Sequence, residues 1–215
     1  MTIVAQHKVE GAPVLYGPAR EFWRYKGAEC ILSGPYETGK TFAVLTKLHA
    51  LCVKYPNLNT FIGRLTYKSI LTTGIKTYEN KVLPIPPDDP QSPIKKYGGS
   101  KPDFYKYPNG SEIHIIGLDN PDKLLSGEYD FGVFIQSEEI PLDSWEKTLS
   151  RLTGRAGNAP YTQLMGDCNP GGPKHWILER KSLKLFTQLH QHNPTLYDQD
   201  TGEITAQGQK TMMIE

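Results

Sequence analysis

Residues 34–41 constrain the fold of this chain more than any other segment. They read Gly-Pro-Tyr-Glu-Thr-Gly-Lys-Thr and match the pattern G-x-x-x-x-G-K-T, whose glycines let backbone N–H groups converge on phosphate oxygens. A short apolar run, 28–33, precedes the segment, and residues 42–54 follow it with apolar side chains at helical spacing. Because such a loop needs a strand before it and the positive amino end of a helix after it, we predict a strand–loop–helix unit. A glycine-rich turn with an exposed lysine is the alternative.

The loop residues have specific expected roles in holding a nucleotide. The Lys40 ammonium would reach the β- and γ-phosphates, and the Thr41 hydroxyl would bind Mg²⁺. ATP and Mg²⁺ are therefore the expected cofactors. The predicted nucleotide-binding residues of this segment are Gly34, Pro35, Tyr36, Glu37, Thr38, Gly39, Lys40 and Thr41.

Composition narrows the class of protein. The 215 residues suffice for one large α/β domain. The 24 Lys and Arg against 23 Asp and Glu leave a net charge of +1, so no overall basic field indicates nucleic acid. Three widely spaced cysteines form no metal or disulfide pattern and suit a reducing cytoplasm. No run approaches the ~20 apolar residues that span a bilayer, and the first residues lack a signal-peptide core. We expect a cytoplasmic protein with no membrane partner.

Strand and helix patterns alternate along the chain, which predicts an α/β fold. Two β-rich runs, 104–107 and 112–117, flank Pro108-Asn109-Gly110, and Asn-Gly between such runs favours a hairpin. We predict a mostly parallel central sheet flanked by helices, plus this antiparallel hairpin. The remaining expected strands are 59–64, 131–135 and 162–166, and the expected helices are 68–82, 142–152 and 175–181, with loops at 84–102 and 198–209.

Residues 1–27 are interpreted as a segment on the adenine side of the nucleotide. Arg20 and Phe22 lie in an aromatic-rich run shortly before the first strand. Aromatic rings stack on bases and arginine can sandwich them, so both residues are candidate nucleotide contacts. A short helix that packs its aromatic side chains on the core is the alternative.

A phosphate loop needs a carboxylate at a neighbouring strand end to organise Mg²⁺, and another to orient the attacking water. Asp119 follows the apolar run 113–118, but its position after a hairpin favours an exit turn. Glu138 and Glu139 follow a better-buried run, although Ile135 and Gln136 occupy its tip. We prefer Glu139 as the catalytic carboxylate and keep Glu138 as a catalytic and metal-binding candidate. A solvated acidic helix start is the alternative.

A further candidate follows the predicted strand 162–166. The amide of Asn169, next to Cys168, would lie beside the γ-phosphate and could distinguish ATP from ADP. An Asn-Pro turn that ends the strand is the alternative.

Taken together, these segments resemble the large terminase subunit of tailed bacteriophages, over about residues 16–215. Each segment alone is weakly specific for this family, but their order and spacing together are fairly specific. The segments concerned are the loop 34–41, 64–66, 109–113 with 117–119, 136–140 with Trp145, 151–155, 167–170 with 175–176, and 192–194.

The resemblance implies an ASCE-type P-loop fold and ATP hydrolysis that drives double-stranded DNA into a procapsid in the host cell cytoplasm. It also implies a homo-oligomeric ring, usually of five subunits, on the portal protein, and a small terminase subunit as a partner. Lys40 and Thr41 would take the phosphates and Mg²⁺, and Glu138 or Glu139 would be the catalytic carboxylate. Cys168 and Asn169 would couple hydrolysis to movement.

The chain also departs from that family. Many members carry an arginine within the phosphate loop, where this chain has Tyr36 or Glu37. An arginine finger from a neighbouring subunit is therefore expected, with Arg151 and Arg155 as candidates, although each could be a surface arginine. The family's C-terminal nuclease domain is not expected within residues 1–215, which are interpreted as the ATPase domain.

Two other functions stay open from sequence. One is another P-loop enzyme, such as a helicase-type ATPase or a small-molecule kinase; a kinase would need an arginine-rich lid, whereas the 84–102 loop has lysines and no arginine. The other is a nucleotide-binding module without hydrolysis, suggested by the absence of a carboxylate at 135 and 136.

Overall fold

One eight-stranded sheet organises the chain in the computed structural model, which describes residues 14–157 and 159–212. Its strands are β1 Glu29–Ser33, β2 Asn59–Arg64, β3 Lys95–Tyr97, β4 Phe104–Lys106, β5 Glu112–Gly117, β6 Phe131–Phe134, β7 Gln163–Cys168 and β8 Lys184–Thr187. Their order across the sheet is β3-β4-β5-β2-β6-β7-β1-β8. The strands from β5 to β8 in this order are parallel, whereas β3, β4 and β5 pair antiparallel. The predicted parallel sheet with an antiparallel hairpin is confirmed.

Eight α-helices connect and cover the strands in the described residues. They are α1 Pro18–Arg24, α2 Lys40–Lys54, α3 Tyr67–Thr72, α4 Gly74–Thr77, α5 Pro121–Leu125, α6 Leu142–Leu149, α7 Trp176–Glu179 and α8 Ala206–Met212. A π-helical turn spans Tyr78–Val82, and 3-10 turns span Ser137–Glu139 and His190–His192.

The core lies on both faces of the sheet. Successive residues of β1 alternate between two hydrophobic clusters, because neighbouring strand side chains point to opposite faces. Cys30 and Leu32 pack with α2, whereas Ile31 packs with the buried Trp145 of α6. Because the central strands are covered on both faces, nearly all of their residues are buried. Their sequences are therefore nearly continuous apolar runs, and these runs are what predicts the strands.

Several elements differ from the sequence predictions. The expected helix 68–82 is interrupted, since Thr73 leaves helical geometry at φ −122° and ψ −64°. The expected loop 84–102 contains β3, and the expected loop 198–209 ends in the first residues of α8. The edge strand β8 was not predicted, because Phe186 is its only buried residue and leaves no apolar run. Residues 1–13 of the proposed adenine-side segment lie outside the described residues.

His49 of α2 should make stability depend on pH. Its ring is largely buried, with Nδ1 2.8 Å from the Tyr107 hydroxyl, and burial lowers the pKa of His49 to about 4. An unfolded chain protonates histidine near pH 6.5, so between pH 6.5 and 4 the unfolded state binds more protons and stability falls as pH falls. Urea unfolding at pH 7 and 4.5 should show a loss roughly 2–3 kcal/mol larger for the unaltered chain than for His49→Gln. Equal losses would contradict this origin.

Candidate functional site

Residues 34–41 join the carboxyl end of β1 to the amino end of α2, at the edge of the sheet where the parallel strands end. The Gly34 N–H donates to the Cys168 carbonyl of β7 over 3.1 Å, which ties the loop to the neighbouring strand. A Cβ atom at Gly34 would lie 2.1 Å from the Gln188 carbonyl oxygen, and Gly39 has φ +78°. Both positions therefore require glycine. Strand, loop and helix follow one another in the predicted order.

Lys40 lies at the start of α2 and is only 7% exposed. Its Nζ donates to the Pro35 carbonyl over 2.5 Å and lies 3.4 Å from the Thr38 hydroxyl. Burial lowers the pKa of Lys40 from its ordinary value, while the nearby charges of Asp167 and Glu138 oppose that shift. The ammonium is thus held inside the loop, where an anion bound by the loop amides would meet it.

A cavity of about 700 Å³ opens in front of this loop. Its volume falls within the roughly 300–1,000 Å³ typical of small-molecule sites. One wall comes from residues 14–16, before α1, and another from residues 192–196, after β8. The tips of β6 and β7 contribute Ile135, Gln136 and Asp167 to its floor.

Asp167 is the carboxylate nearest the loop, and the sequence interpretation did not include it among the site residues. Its Oδ2 accepts a very short hydrogen bond from the Thr41 hydroxyl, and its Oδ1 accepts the Gln136 N–H over 2.7 Å. The side chain is buried, and burial raises the pKa of Asp167, against the opposing effect of these bonds and of Lys40. The sequence does carry a signal, since Asp167 directly follows the predicted strand 162–166. The predicted strand was ended two residues too early, since β7 continues to Cys168.

Glu138 lies in the 3-10 turn after β6, and Asn169 orients it. The Asn169 amide Nδ2 donates to Glu138 Oε1 over 2.7 Å, while Oε2 is buried and has no hydrogen-bond partner among the described residues. Glu138 lines a second cavity of about 210 Å³, which shares Cys168 and Asn169 with the main one. An oriented carboxylate with one free oxygen could accept a hydrogen bond from a water molecule.

His175 fixes the backbone of the same turn. Its Nε2 lies 3.1 Å from the Glu138 carbonyl oxygen, and its Nδ1 accepts the Ile177 N–H at the start of α7. A carbonyl oxygen only accepts, so Nε2 carries the proton and the ring is in one defined tautomer. The segment after β7 therefore holds both the side chain and the backbone of Glu138.

The structure does not support the preference for Glu139. Arg64, at the end of β2, binds both of its carboxylate oxygens, with Nε–Oε2 3.2 Å and Nη2–Oε1 3.1 Å. Glu139 lines neither cavity. Asp119 is also remote, because its Oδ1 accepts the Tyr67 N–H at the start of α3. In a 3-10 turn adjacent residues point in different directions, and here Glu138 faces the second cavity, near enough to Lys40 for their charges to interact.

The two expected contacts on the adenine side do not line the cavity. Phe22 is fully buried in α1, with its ring centroid 5.8 Å from that of Phe186 and the Lys47 ammonium over its face, so it is a core residue and not a base contact. Arg20 donates from Nε to the Leu15 carbonyl over 2.6 Å and stacks on Tyr16. Leu15 and Tyr16 do line the cavity, so Arg20 supports this wall indirectly.

Side chains after β8 hold the outer part of the phosphate loop, a contact that was not expected from sequence. His190 Nε2 donates to the Tyr36 carbonyl over 3.0 Å, and the Asn193 amide donates to the Glu37 carbonyl. Glu37 has φ +59°, an uncommon value for a residue other than glycine, so these bonds help to maintain a strained conformation.

The arginine-finger candidates lie at the opposite edge of the sheet. The Arg151 carbonyl accepts the Tyr129 N–H, just before the start of β6, and Arg155 forms an exposed ion pair with Glu128. This is the amino edge of the parallel strands, whereas the phosphate loop is at their carboxyl edge. Neither arginine can act on the cavity of its own chain.

The donor atoms at the loop fit Mg²⁺. Within the described ranges no group of three or more His, Cys, Asp or Glu side chains could hold a metal by itself. Mg²⁺ in nucleotide sites usually takes one or two protein oxygens and completes its shell with phosphates and water. The Thr41 hydroxyl and the Asp167 carboxylate meet at the loop and supply such oxygens.

Among the helices that the structure describes, none is long and apolar enough to cross a membrane.

The arrangement of strands and helices matches solved structures of bacteriophage large terminases. The large terminase of a thermophilic bacteriophage, in complex with ADP, is 14% identical, with a TM-score of 0.68 over 86% of this chain and 48% of that chain. The HK97 bacteriophage large terminase is 13% identical, with a TM-score of 0.58 over 98% of this chain and 50% of that one. The ATPase domain of the Thermus phage P74-26 large terminase is 15% identical, with a TM-score of 0.53 over 80% of each chain.

These likenesses establish the fold, which this chain shares with large terminases and with the terminase ATPase domain. The resemblance seen in the sequence is confirmed at that level. The chain spans about half the length of the thermophilic-phage and HK97 proteins. No protein-family model and no curated protein matches the sequence.

Proposed function

We propose that this chain hydrolyses ATP and that hydrolysis drives double-stranded DNA into a viral procapsid. The observation that supports this most is the meeting of three features at one edge of the sheet: the phosphate loop with Lys40, the buried Asp167 against Thr41, and the oriented Glu138. The DNA-translocating role rests on the fold, which is shared with large terminases, including structures of the thermophilic-phage protein in complex with ADP and with ATP-gamma-S.

The loop and its neighbours divide the work of binding. The amides of 34–41 and the Lys40 ammonium take the phosphates, while Leu15, Tyr16 and the segment 192–196 enclose the rest of the nucleotide. Thr41 and a carboxylate hold Mg²⁺, which when bound neutralises charge that develops on the phosphates.

Glu138 orients the attacking water in this proposal. Its free Oε2 accepts a hydrogen bond from the water, and Asn169 keeps the carboxylate in place through Oε1. The bond between Asn169 and Glu138 also supports the proposed coupling role of the segment 168–169, because movement of that segment would reorient the carboxylate. Cys168 takes part through its backbone, since its carbonyl accepts the Gly34 N–H of the phosphate loop.

A ring of subunits, with five as the expected number, would place the amino edge of one sheet near the carboxyl edge of the next. Arg151 or Arg155 could then reach a neighbour's nucleotide, which neither reaches in its own chain. The proposed partners are double-stranded DNA, the portal protein and a small terminase subunit, in the cytoplasm of the host.

Nucleotide binding without hydrolysis is the second candidate. Ile135 and Gln136 at the tip of β6 favour it, since neither side chain carries a charge for a metal or a water.

Phosphate release from Mg·ATP, measured over a range of protein concentrations, tests the proposal. An arginine supplied in trans is worth on the order of 10³–10⁵ in rate, so turnover should be slow when the chain is dilute and should rise per subunit as rings form. One of the two variants, Arg151→Ala or Arg155→Ala, should remove the arginine finger. That variant should lose the increase in turnover with protein concentration and keep the slow turnover of the dilute chain. Absence of turnover at every concentration, with ATP bound, would favour the second candidate. Brisk turnover independent of concentration would contradict the trans arginine.

A further inference from the structure

The tip of β6 cannot supply the metal-binding carboxylate. Side chains at alternate positions of a strand share a face, and Phe131, Val133 and Ile135 all pack in the cluster that contains α2. Ile135 is thus the β6-tip residue that faces α2 and the cavity. An isoleucine offers no oxygen donor, and the neighbouring Gln136 offers no charge.

Asp167 occupies the equivalent place on the adjacent strand. Met165, two residues earlier, packs in the same α2-side cluster, so Asp167 also faces α2. β7 lies between β6 and β1 in the sheet, which brings Asp167 directly against the amino end of α2. There its two oxygens contact the Thr41 hydroxyl and the Gln136 N–H.

The charge of Asp167 lacks an ion-pair partner in the described residues. The carboxylate is 3% exposed, and in the part of the chain that the structure describes no Lys, Arg or His nitrogen lies within 4.0 Å of it. Buried charges in proteins are generally paired with another charge or with a metal ion. Lys40 is near enough to interact with Asp167, but its ammonium is bonded to the Pro35 carbonyl.

We infer that Asp167, one strand over from the β6 tip, supplies the carboxylate of the Mg²⁺ site together with Thr41. This inference rests on the proposed nucleotide function of the loop. Gln136 then contributes its backbone N–H, which orients Asp167, and its φ of +53° presents that N–H to Oδ1. Glu138 keeps only the role of orienting water.

A purely structural role for Asp167 makes a different prediction. If the side chain serves only to join β6 to α2, asparagine should replace it well, because the amide oxygen can still accept the Gln136 N–H. If its negative charge holds the metal, the asparagine variant should lose metal affinity although the shape of the side chain is kept.

The test is Mn²⁺ binding to the ADP-bound chain, followed by electron paramagnetic resonance, with ADP affinity measured separately in EDTA. Asp167→Asn should weaken Mn²⁺ binding by at least about 10–100-fold, the range typical for loss of a group that only orients a metal ligand, and leave metal-free ADP affinity unchanged. Asp119→Asn, the same change at a remote strand exit, and Glu138→Gln should both keep Mn²⁺ affinity. Unchanged Mn²⁺ affinity in Asp167→Asn, or its loss in Glu138→Gln alone, would overturn the inference.

Iron-mediated cleavage locates the metal without a variant, in case Asp167→Asn does not fold. Fe²⁺ in place of Mg²⁺, with ADP, ascorbate and peroxide, should cut the unaltered chain near residues 41 and 167. Cuts in the turn 137–139 in place of those at 167 would refute the assignment. A chain that binds ADP neither with nor without metal would instead refute the proposed nucleotide function itself.

Discussion

Lys40→Ala should reduce ATP hydrolysis by this chain to a small residual rate. The ammonium is the positive charge inside the loop, held there by the Pro35 carbonyl, and alanine removes it without disturbing the glycines that shape the loop. Loss of one preorganised electrostatic donor typically lowers turnover by on the order of 10²–10³-fold, and ATP affinity should fall as well. Phosphate release and nucleotide titration would measure both effects.

Lys54→Ala provides the matched control for that experiment. Lys54 ends the same helix, about 21 Å from Lys40 at 1.5 Å per residue, and its ammonium lies over the Tyr55 ring. It should keep both binding and turnover. Hydrolysis that survives Lys40→Ala at the level of the control would remove the phosphate-loop assignment.

Glu138→Gln should lower kcat by about 10²–10⁴-fold, the usual contribution of a positioned base, while ATP still binds. Glutamine keeps an oxygen that can accept the Asn169 amide, so the change removes the charge and preserves the shape. The two variants should therefore differ in their effect on ATP binding. Lys40→Ala should lower both ATP affinity and turnover, whereas Glu138→Gln should lower turnover alone. Single-turnover phosphate release with saturating ATP would measure the effect on chemistry.

Glu139→Gln gives the contrast within the same turn. Its oxygens already bind Arg64, so it should retain most turnover and lose some stability, because the largely buried Arg64 keeps only a neutral partner. If Glu139→Gln abolishes turnover and Glu138→Gln does not, the choice between the two carboxylates is wrong.

The parts of the fold that the sequence predicted are those with a strong local signal. The glycine spacing of 34–41 permits little other than a turn between strand and helix, and the apolar run 131–135 reflects a strand covered on both faces. The hairpin around Asn109-Gly110 is equally local. Edge elements were missed, since β8 buries one side chain and needs little apolar sequence.

The site was harder to predict because its pairings are non-local. Which of Glu138 and Glu139 is left without an arginine partner depends on Arg64, more than 70 positions earlier in the chain and at the end of another strand. Asp167 directly follows a predicted strand, but only the strand order, with β7 between β6 and β1, shows that it meets Thr41. The interpretation of Phe22 as a base contact is wrong, because the side chain is fully buried in the core. An aromatic residue before a strand gives the same sequence pattern in either role.

A crystal structure with Mg²⁺ and a non-hydrolysable ATP analogue would show whether the phosphate loop holds the nucleotide. We expect a triphosphate enclosed by the backbone N–H groups of 34–41, with the Lys40 ammonium turned from the Pro35 carbonyl to the phosphates and the metal between Thr41 and Asp167. A nucleotide bound away from this loop, or a loop that excludes phosphate while the chain still hydrolyses ATP, would contradict it.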